Sequence, residues 1–295
     1  MSTNQAPTVN HTLGRIGIWS LELRFGDRGE AQEAAAELDE LGYGTLWIPG
    51  AAGGDLLNDV NRLVTATNRT TIATGILNIW KHAPKDISQW WHSLSPAHQS
   101  RILLGLGVSH SHIVGEAYVN TKPLAVMREY LDQLRAVNVP ANHLCLAALG
   151  PKMLELARDR TAGVHPYLVT PEHSAIARAA VGPDKFVATE QGVVLDTDPD
   201  RARALARGAL KRYLALPNYV NNWKRLGFTD DDVNNVSNKL VDSLFAWGSI
   251  DTIAQRINEH LSAGADHVCL QVITGGGVNI GPARPAWREL AQALL

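Results

Sequence analysis

The sequence predicts a closed (β/α)8 barrel, and three observations carry that prediction. Strand-like and helix-like segments alternate along all 295 residues. The strand-like runs are close to continuously apolar, as parallel strands buried on both faces are. No linker or low-complexity stretch divides the chain, whose length suits one α/β barrel, usually about 250 residues. Such alternation builds a parallel sheet. A doubly wound open sheet is the alternative, because pattern gives the order of elements and not their closure.

Each element has its own warrant. Arg15–Trp19 is the first strand, and Glu30–Leu41 follows with Ala31, Ala34, Ala35, Leu38 and Leu41 on one helical face and Gly42 at the stop. Gly44–Ile48 is the second strand, closed by Pro49-Gly50; Leu57, Val60, Leu63 and Val64 mark the second helix, with Asp55 as its cap. Thr70–Ile79 is the third strand, β-branched at its start, and residues 84–94 form a helix with Pro84 near its beginning. Arg101–Val108 reads as the fourth strand, and Leu124, Met127, Leu131 and Leu134 as the helix behind it, ended by Pro140. His143–Leu149 and the helix Pro151–Arg160 make the fifth unit; Gly163–Val169, weakened by Pro166, and Pro171–Val181 make the sixth. Lys185–Leu195 is the seventh strand, followed by a helical Pro199–Leu216. Asn218–Trp247 reads as a helical insertion before the last unit, which consists of the helix Ser249–Ala263, the strand His267–Ile273 and the helix Pro285–Leu294.

Composition narrows the function. Lys plus Arg number 27 against 29 Asp plus Glu, and no basic run exceeds a pair, so nothing marks a nucleic-acid surface. Cys145 and Cys269 lie inside apolar runs and read as buried reduced thiols of a cytosolic protein. Residues 1–12 are polar and lack the apolar core of a signal peptide; they read as a frayed tail ahead of one domain over 13–295. The expectation is a cytoplasmic protein with no membrane or nucleic-acid partner.

In a parallel barrel the site forms at the C-terminal ends of the strands. Those ends carry Trp19-Ser20, Pro49-Gly50, Asn78-Ile79-Trp80, Gly107 through His112, Gly150-Pro151, Val169-Thr170 and Thr274 through Gly277. This inventory is rich in Gly, Ser, His and Trp and lacks the paired acids of glycoside hydrolysis. His110 and His112 share one face if extended. They either hydrogen-bond loop backbone or serve chemistry, with His110 the candidate proton donor; too few ligands accompany them for a zinc site. Gly105-Leu106-Gly107 fails as a dinucleotide fingerprint because His110 stands where the third glycine belongs. Small residues there would instead let a flat ligand approach the backbone. Gly275-Gly276-Gly277 reads as a mobile loop or an anion cradle.

Five stretches, LGYGTLW over 41–47, ATGILNI over 73–79, LLGLGV over 103–108, MREYLD over 127–132 and AGVHPY over 162–167, occur in an order and spacing that resemble the luciferase-like monooxygenase superfamily. Within it, residues 13 to 294 are similar to the actinobacterial branch that uses coenzyme F420. The resemblance implies a non-prolyl cis bond at Gly75–Ile76, bulging the third strand behind a deazaflavin ring near Asn78. It places backbone amides of Gly107, Val108 and Ser109 beside the cofactor. It puts the cofactor phosphate near Ala162, Gly163 and Val164, with Arg158 and Arg160 either assisting or standing as solvated helix charges. It further implies a homodimer through helices of the second and third units, Trp90 and Trp91 among them. Two departures stand out: Pro49-Gly50 replaces an acidic-His pair of sugar-phosphate dehydrogenases, and Glu22 only loosely matches the first-strand glutamate of alcohol-oxidising relatives.

The implied function is hydride transfer between F420 and a small organic substrate. The alternatives are an FMN-dependent monooxygenase of the same fold and a non-catalytic barrel that has lost its cofactor.

Overall fold

The structure, a computed structural model, describes residues 13–50, 53–109, 122–275 and 281–295. Its first half runs β1 (Ile16–Trp19), α1 (Glu22–Phe25), α2 (Arg28–Leu41), β2 (Thr45–Ile48), α3 (Leu56–Ala66), β3 (Thr71–Thr74), β4 (Leu77–Asn78), α4 (Pro84–Ser93), α5 (Pro96–Gln99), β5 (Ile102–Gly107) and α6 (Pro123–Ala136). The second half runs β6 (Leu144–Leu146), α7 (Pro151–Arg160), β7 (Gly163–Val164), α8 (Pro171–Val181), β8 (Phe186–Val194), α9 (Pro199–Leu210), α10 (Pro217–Arg225), α11 (Asp230–Asn234), α12 (Asn238–Leu244), β9 (Phe245–Trp247), α13 (Ile250–Ser262), β10 (His267–Val272) and α14 (Arg284–Leu294). Local chemistry sets many helix ends. Asp27 accepts from the Gly29 and Glu30 amides at the start of α2, Gly42 closes it at φ 96°, and Asp55 caps α3 as its position predicts.

Every strand pairing is parallel, and the pairing of β10 with both β1 and β8 closes the ring. An open sheet is thereby excluded. The third barrel strand is split into β3 and β4: five steps from Ile72 to Leu77 face four from Ile102 to Leu106, so one residue bulges out. The cis peptide Gly75–Ile76 lies in that bulge, where the resemblance puts it. Three strands differ from expectation, the fifth covering only Leu144–Leu146 of His143–Leu149. The sixth strand stops at Val164, because Pro166 has no N–H to extend the ladder. The β8 edge beyond it is taken by β9, so Phe245–Trp247 is a strand and not the end of a helical stretch. The rest of the insertion, α10 to α12, is helical and builds a second core in which Trp223, Leu240 and Leu244 pack with Ala202, Ala206 and Leu210 of α9.

Inside the barrel, alternate residues of each strand face the axis. Leu103, Cys145, Phe186, Ala188 and Cys269 point inward, while Leu104, Leu146, Val187 and Leu270 meet the helices. The axis is filled by Trp47, whose indole stacks on His165 at 4.0 Å and 10° and donates to His267 Nε2 at 3.1 Å. Such bulk needs small neighbours: a Cβ on Gly17 would lie 2.4 Å from Thr45 O and 2.7 Å from the His267 ring. Both cysteines are buried and unpaired. Trp91, 2% exposed, belongs to the main core and not to an interface, whereas half-buried Trp90 donates to Asn61. Among the described residues no helix is long and apolar enough to cross a membrane.

Two measurements check this interior. Gly17→Ala should lose about 1–3 kcal/mol in urea unfolding through overpacking. Gly208→Ala, in α9 with nothing within 4 Å of its Cβ, should gain about 0.5–1 kcal/mol. The second concerns pH. Burial pushes both His165 and His267 down to about 4. Between pH 6.5 and 4 the unfolded chain therefore binds protons that the folded chain refuses, and stability falls as pH falls through that window. His267→Gln keeps an acceptor for Trp47 and should flatten the slope of unfolding free energy between pH 4 and 6.5; an unchanged slope would rule out His267 as a contributor.

Candidate active site

At the C-terminal end of the barrel a cavity of about 230 Å³ opens, bounded below by the Trp47–His165 plug. One wall is backbone. Trp19 at the end of β1 donates from Nε1 to Gly75 O at 3.2 Å, and a Cβ on Gly75 would meet Trp19 Nε1 at 2.5 Å and His165 Nε2 at 3.0 Å. Gly50 approaches the same bulge so closely that its Cβ would be 1.9 Å from Ile76 O. Arg24 holds that approach. Its buried guanidinium donates to the carbonyls of Pro49 (2.6 Å), Gly50 (2.5 Å) and Gly53 (2.6 Å) while pairing with Asp59 at 3.2 Å.

Among the described residues, two polar atoms in the cavity wall have no partner. Asn78 accepts the Trp80 amide through Oδ1 at 3.0 Å, which leaves its buried Nδ2 unpaired. His165 bonds the Ala188 carbonyl through Nδ1 at 2.8 Å, so Nδ1 carries the proton and the unpaired Nε2 is an acceptor. The opposite side is aromatic. Tyr213 and Tyr219, from the segment after α9, pack edge to face at 5.0 Å, and Tyr213 lies 5.5 Å from Tyr167, which follows β7. The Tyr213 hydroxyl donates to the Tyr167 oxygen at 3.1 Å, and the Tyr167 hydroxyl to Gln271 Oε1 at 2.7 Å.

Charge is sparse. Arg212, at the mouth, is the one charged side chain among the described lining residues. Glu190 is 1% exposed and accepts the Leu168 amide at 3.1 Å; burial pushes its carboxyl up to about 8. No carboxylate lines the cavity among the described residues, so paired-acid hydrolysis has no groups to use there.

The sequence-derived candidates divide. Gly75, Ile76, Asn78 and Ser109 line the cavity together. Gly107 stands directly behind Ile76, whose Cδ1 would be 2.3 Å from a Cβ there, and the Val108 carbonyl accepts from Trp80 Nε1 at 2.8 Å. Ala162, Gly163 and Val164 are in the barrel wall and not among the lining residues. The Ala162 amide, expected to be available to an anion, is committed to Leu144 O at 2.9 Å. Arg158 pairs with Asp159 and Arg160 with Asp132 on the helical exterior. Glu22 accepts from Ser20 and lines an outer groove. His110, His112, Gly276 and Gly277 lie outside the described residues. Sequence reasoning missed Arg24, His165, Tyr167, Glu190, Tyr213 and Tyr219. Three of these had a signal: Glu190 as a glutamate within the apolar run FVATEQGVV, and His165 and Tyr167 in a His-Pro-Tyr where a proline ends a strand.

Comparison with known proteins agrees with this architecture. The model of the luciferase-like monooxygenase family matches residues 12–267. A Mycobacterium tuberculosis protein, provisionally named a coenzyme F420-dependent oxidoreductase, is 24% identical, with 83% of this chain and 90% of that protein covered. Among solved structures, an F420-dependent secondary alcohol dehydrogenase holding an F420-acetone adduct superposes with a TM-score of 0.71 at 16% identity, covering 96% of this chain and 99% of the other. The coenzyme F420-dependent tetrahydromethanopterin reductase of Methanopyrus kandleri gives 0.73 at 16%, covering 95% and 98%. The FMN-bound oxygenating constituent of 3,6-diketocamphane monooxygenase from Pseudomonas putida gives 0.66 at 15%, covering 96% and 97%. The family match starts ahead of the first barrel strand and reaches the last, taking in every segment that lines the cavity, and the chain belongs to the luciferase-like monooxygenase family.

Proposed function

We propose that this protein is an oxidoreductase that moves hydride between coenzyme F420 and a small organic substrate. The observation that carries the reading is the unpaired, buried Nδ2 of Asn78 beside a wall made of backbone. A buried N–H without an acceptor is costly, and a planar ring bearing carbonyl oxygens supplies one. The glycines at 50 and 75 let the Ile76 backbone, Trp19 and His165 close up on the bulge, so that peptide groups make the wall against which such a ring would lie. The names of the relatives favour a deazaflavin over FMN, although an FMN enzyme shares the fold.

When bound, the deazaflavin supplies a two-electron hydride carrier. The protein supplies the rest. Asn78 Nδ2 would donate to the group, His165 Nε2 would accept from it, and the bulge would support it. Trp19 and Tyr167, with ring centroids 5.5 Å apart, wall off that side from water. Tyr213, Leu216 and Tyr219 would hold the substrate in the same cavity. His110, adjoining Ser109, is proposed as a further polar contact, and Gly107 to Ser109 as backbone donors. The protein acts as a cytoplasmic homodimer in this reading.

Tryptophan fluorescence tests it. Trp19 borders the cavity, so oxidised F420 should quench emission with saturation below tens of micromolar, an ordinary affinity range, and FMN should not. Asn78→Asp keeps the acceptor for the Trp80 amide and removes the donor; it should weaken binding roughly 2- to 10-fold, the worth of one hydrogen bond. Saturable quenching by FMN alone would shift the assignment to a flavin monooxygenase. No quenching by either would leave a barrel without a cofactor.

A further inference from the structure

The cavity does not end at its aromatic side. It shares Trp19, Tyr167 and Tyr213 with a cleft of about 30 Å³, and that cleft shares Leu21, Ala209 and Gln271 with an outer groove of about 410 Å³. Arg212 lines all three spaces. It is exposed, and among the described residues it forms neither an ion pair nor a hydrogen bond. Arginines elsewhere on the surface are spent by contrast, Arg158 on Asp159, Arg160 on Asp132, Arg178 on Asp266 and Arg203 on Asp242.

The charge of Arg212 acts inward. Burial pushes the Tyr213 hydroxyl up, and the bond to Tyr167 and the neighbouring guanidinium draw it partly back. No carboxylate lines the cavity or the cleft among the described residues. Glu190, buried and outside the lining, is pushed up to about 8 by burial and is uncharged at pH 7. In the outer groove Glu22 offsets the cation. The uncompensated positive potential therefore lies on the inner side, among aromatic rings, where low-dielectric walls concentrate it.

We propose that the substrate is a small organic acid, whose carboxylate Arg212 binds while its apolar body enters the aromatic side of the cavity. This deepens the deazaflavin reading above and rests on it. With the ring against the bulge at Gly75 and Ile76, the molecule that meets Arg212, Tyr213 and Tyr219 is the substrate. The guanidinium fork matches a carboxylate with two parallel hydrogen bonds. An ion pair in open water is worth little. This one has aromatic rings along one side, and it loses water as the body of the acid fills the cavity.

Matched carboxylates and carboxamides, para-formylbenzoate against para-formylbenzamide and levulinate against levulinamide, test the charge at constant shape. In calorimetric titration of the protein saturated with F420, a carboxylate should bind roughly 10-fold tighter than its amide, the worth of one charge-assisted hydrogen bond. Arg212→Gln should bring each pair level, and Arg212→Lys should restore part of the preference. Arg212 has no partner to lose, so both variants should unfold at the wild-type midpoint. Carboxylates that bind no better than their amides, that do not bind at all, or that keep their preference in Arg212→Gln overturn the proposal. The cofactor phosphate is the other source of negative charge. Titration with F420 and with a truncated deazaflavin that ends at its ribityl chain distinguishes the two. Arg212→Gln should leave both affinities unchanged, and a loss confined to the phosphate-bearing form assigns Arg212 to the cofactor and overturns the proposal. A wild type that binds no deazaflavin sinks the cofactor assignment, whereas normal deazaflavin binding without a carboxylate preference sinks the organic-acid assignment alone.

Discussion

The stack of Trp47 on His165 is the contact on which the rest of the molecule depends. An eight-stranded parallel barrel has an interior just wide enough for side chains, and one indole laid on one imidazole occupies most of it at that level. Two consequences follow from volume alone. Room runs out at some inward positions, as at Gly17, where a side chain would meet the His267 ring. The space beyond His165 is then all that the barrel has left, so the cavity can only form at the mouth. The stack also fixes protonation. Trp47 Nε1 donates to His267 Nε2, whose Nδ1 then donates to Gly14 O at 2.8 Å, and a charged imidazole has no acceptor left to use.

From that floor upward, the site is built by backbone more than by side chains. The bulge between β3 and β4, the close approach of Gly50 and the Arg24 clamp all present peptide groups to the cavity. This suits a ligand that carries its own reactivity. Hydride transfer needs exclusion of water and fixed geometry; it does not need an array of charged catalytic groups, and among the described lining residues only Arg212 is charged. Arg24 does its part from outside the cavity, neutralised by Asp59 and saturated by three carbonyls, so its charge does not reach the ligand as a bare cation.

The barrel was legible because it is written in local patterns: apolar strand runs, helical stripes, Asp55 and Gly42 at helix ends. The bulge was legible only through the family resemblance, since ATGILNI alternates no differently from a straight strand. The cavity's other half was not legible, for a physical reason. Arg24 finds its partners 25 to 35 residues away, Tyr167 meets Tyr213 across 46 residues, and Tyr167 meets Gln271 across 104. Nothing in the local sequence of either partner encodes such pairs. Phe245–Trp247 was misread for the same reason, because its strand character comes from an edge that β7 leaves vacant some 80 residues earlier. Attention fell instead on His110 and on Ala162 to Val164, where motif and resemblance are local; of these, the Ala162 amide proves to be spent on the ladder.

The insertion shows how such a barrel adds a wall to its cavity without altering the floor. Its helices form their own core with α9, yet they are tied to the barrel at the turn after β7, where Trp223 Nε1 donates to Leu168 O at 3.1 Å; Tyr213, on the segment just before the insertion, donates to Tyr167 at the same turn. Leu168 has φ 54°, a left-handed conformation rare for a leucine, and its amide is held by Glu190. The same turn therefore anchors the roof, presents the Tyr167 hydroxyl and holds the buried carboxyl. A change in the insertion that moved the roof would move the hydroxyl chain with it. The aromatic side of the cavity and the hydroxyl chain are thus parts of one structural unit, which stands on the barrel but is not fixed by the barrel's own packing.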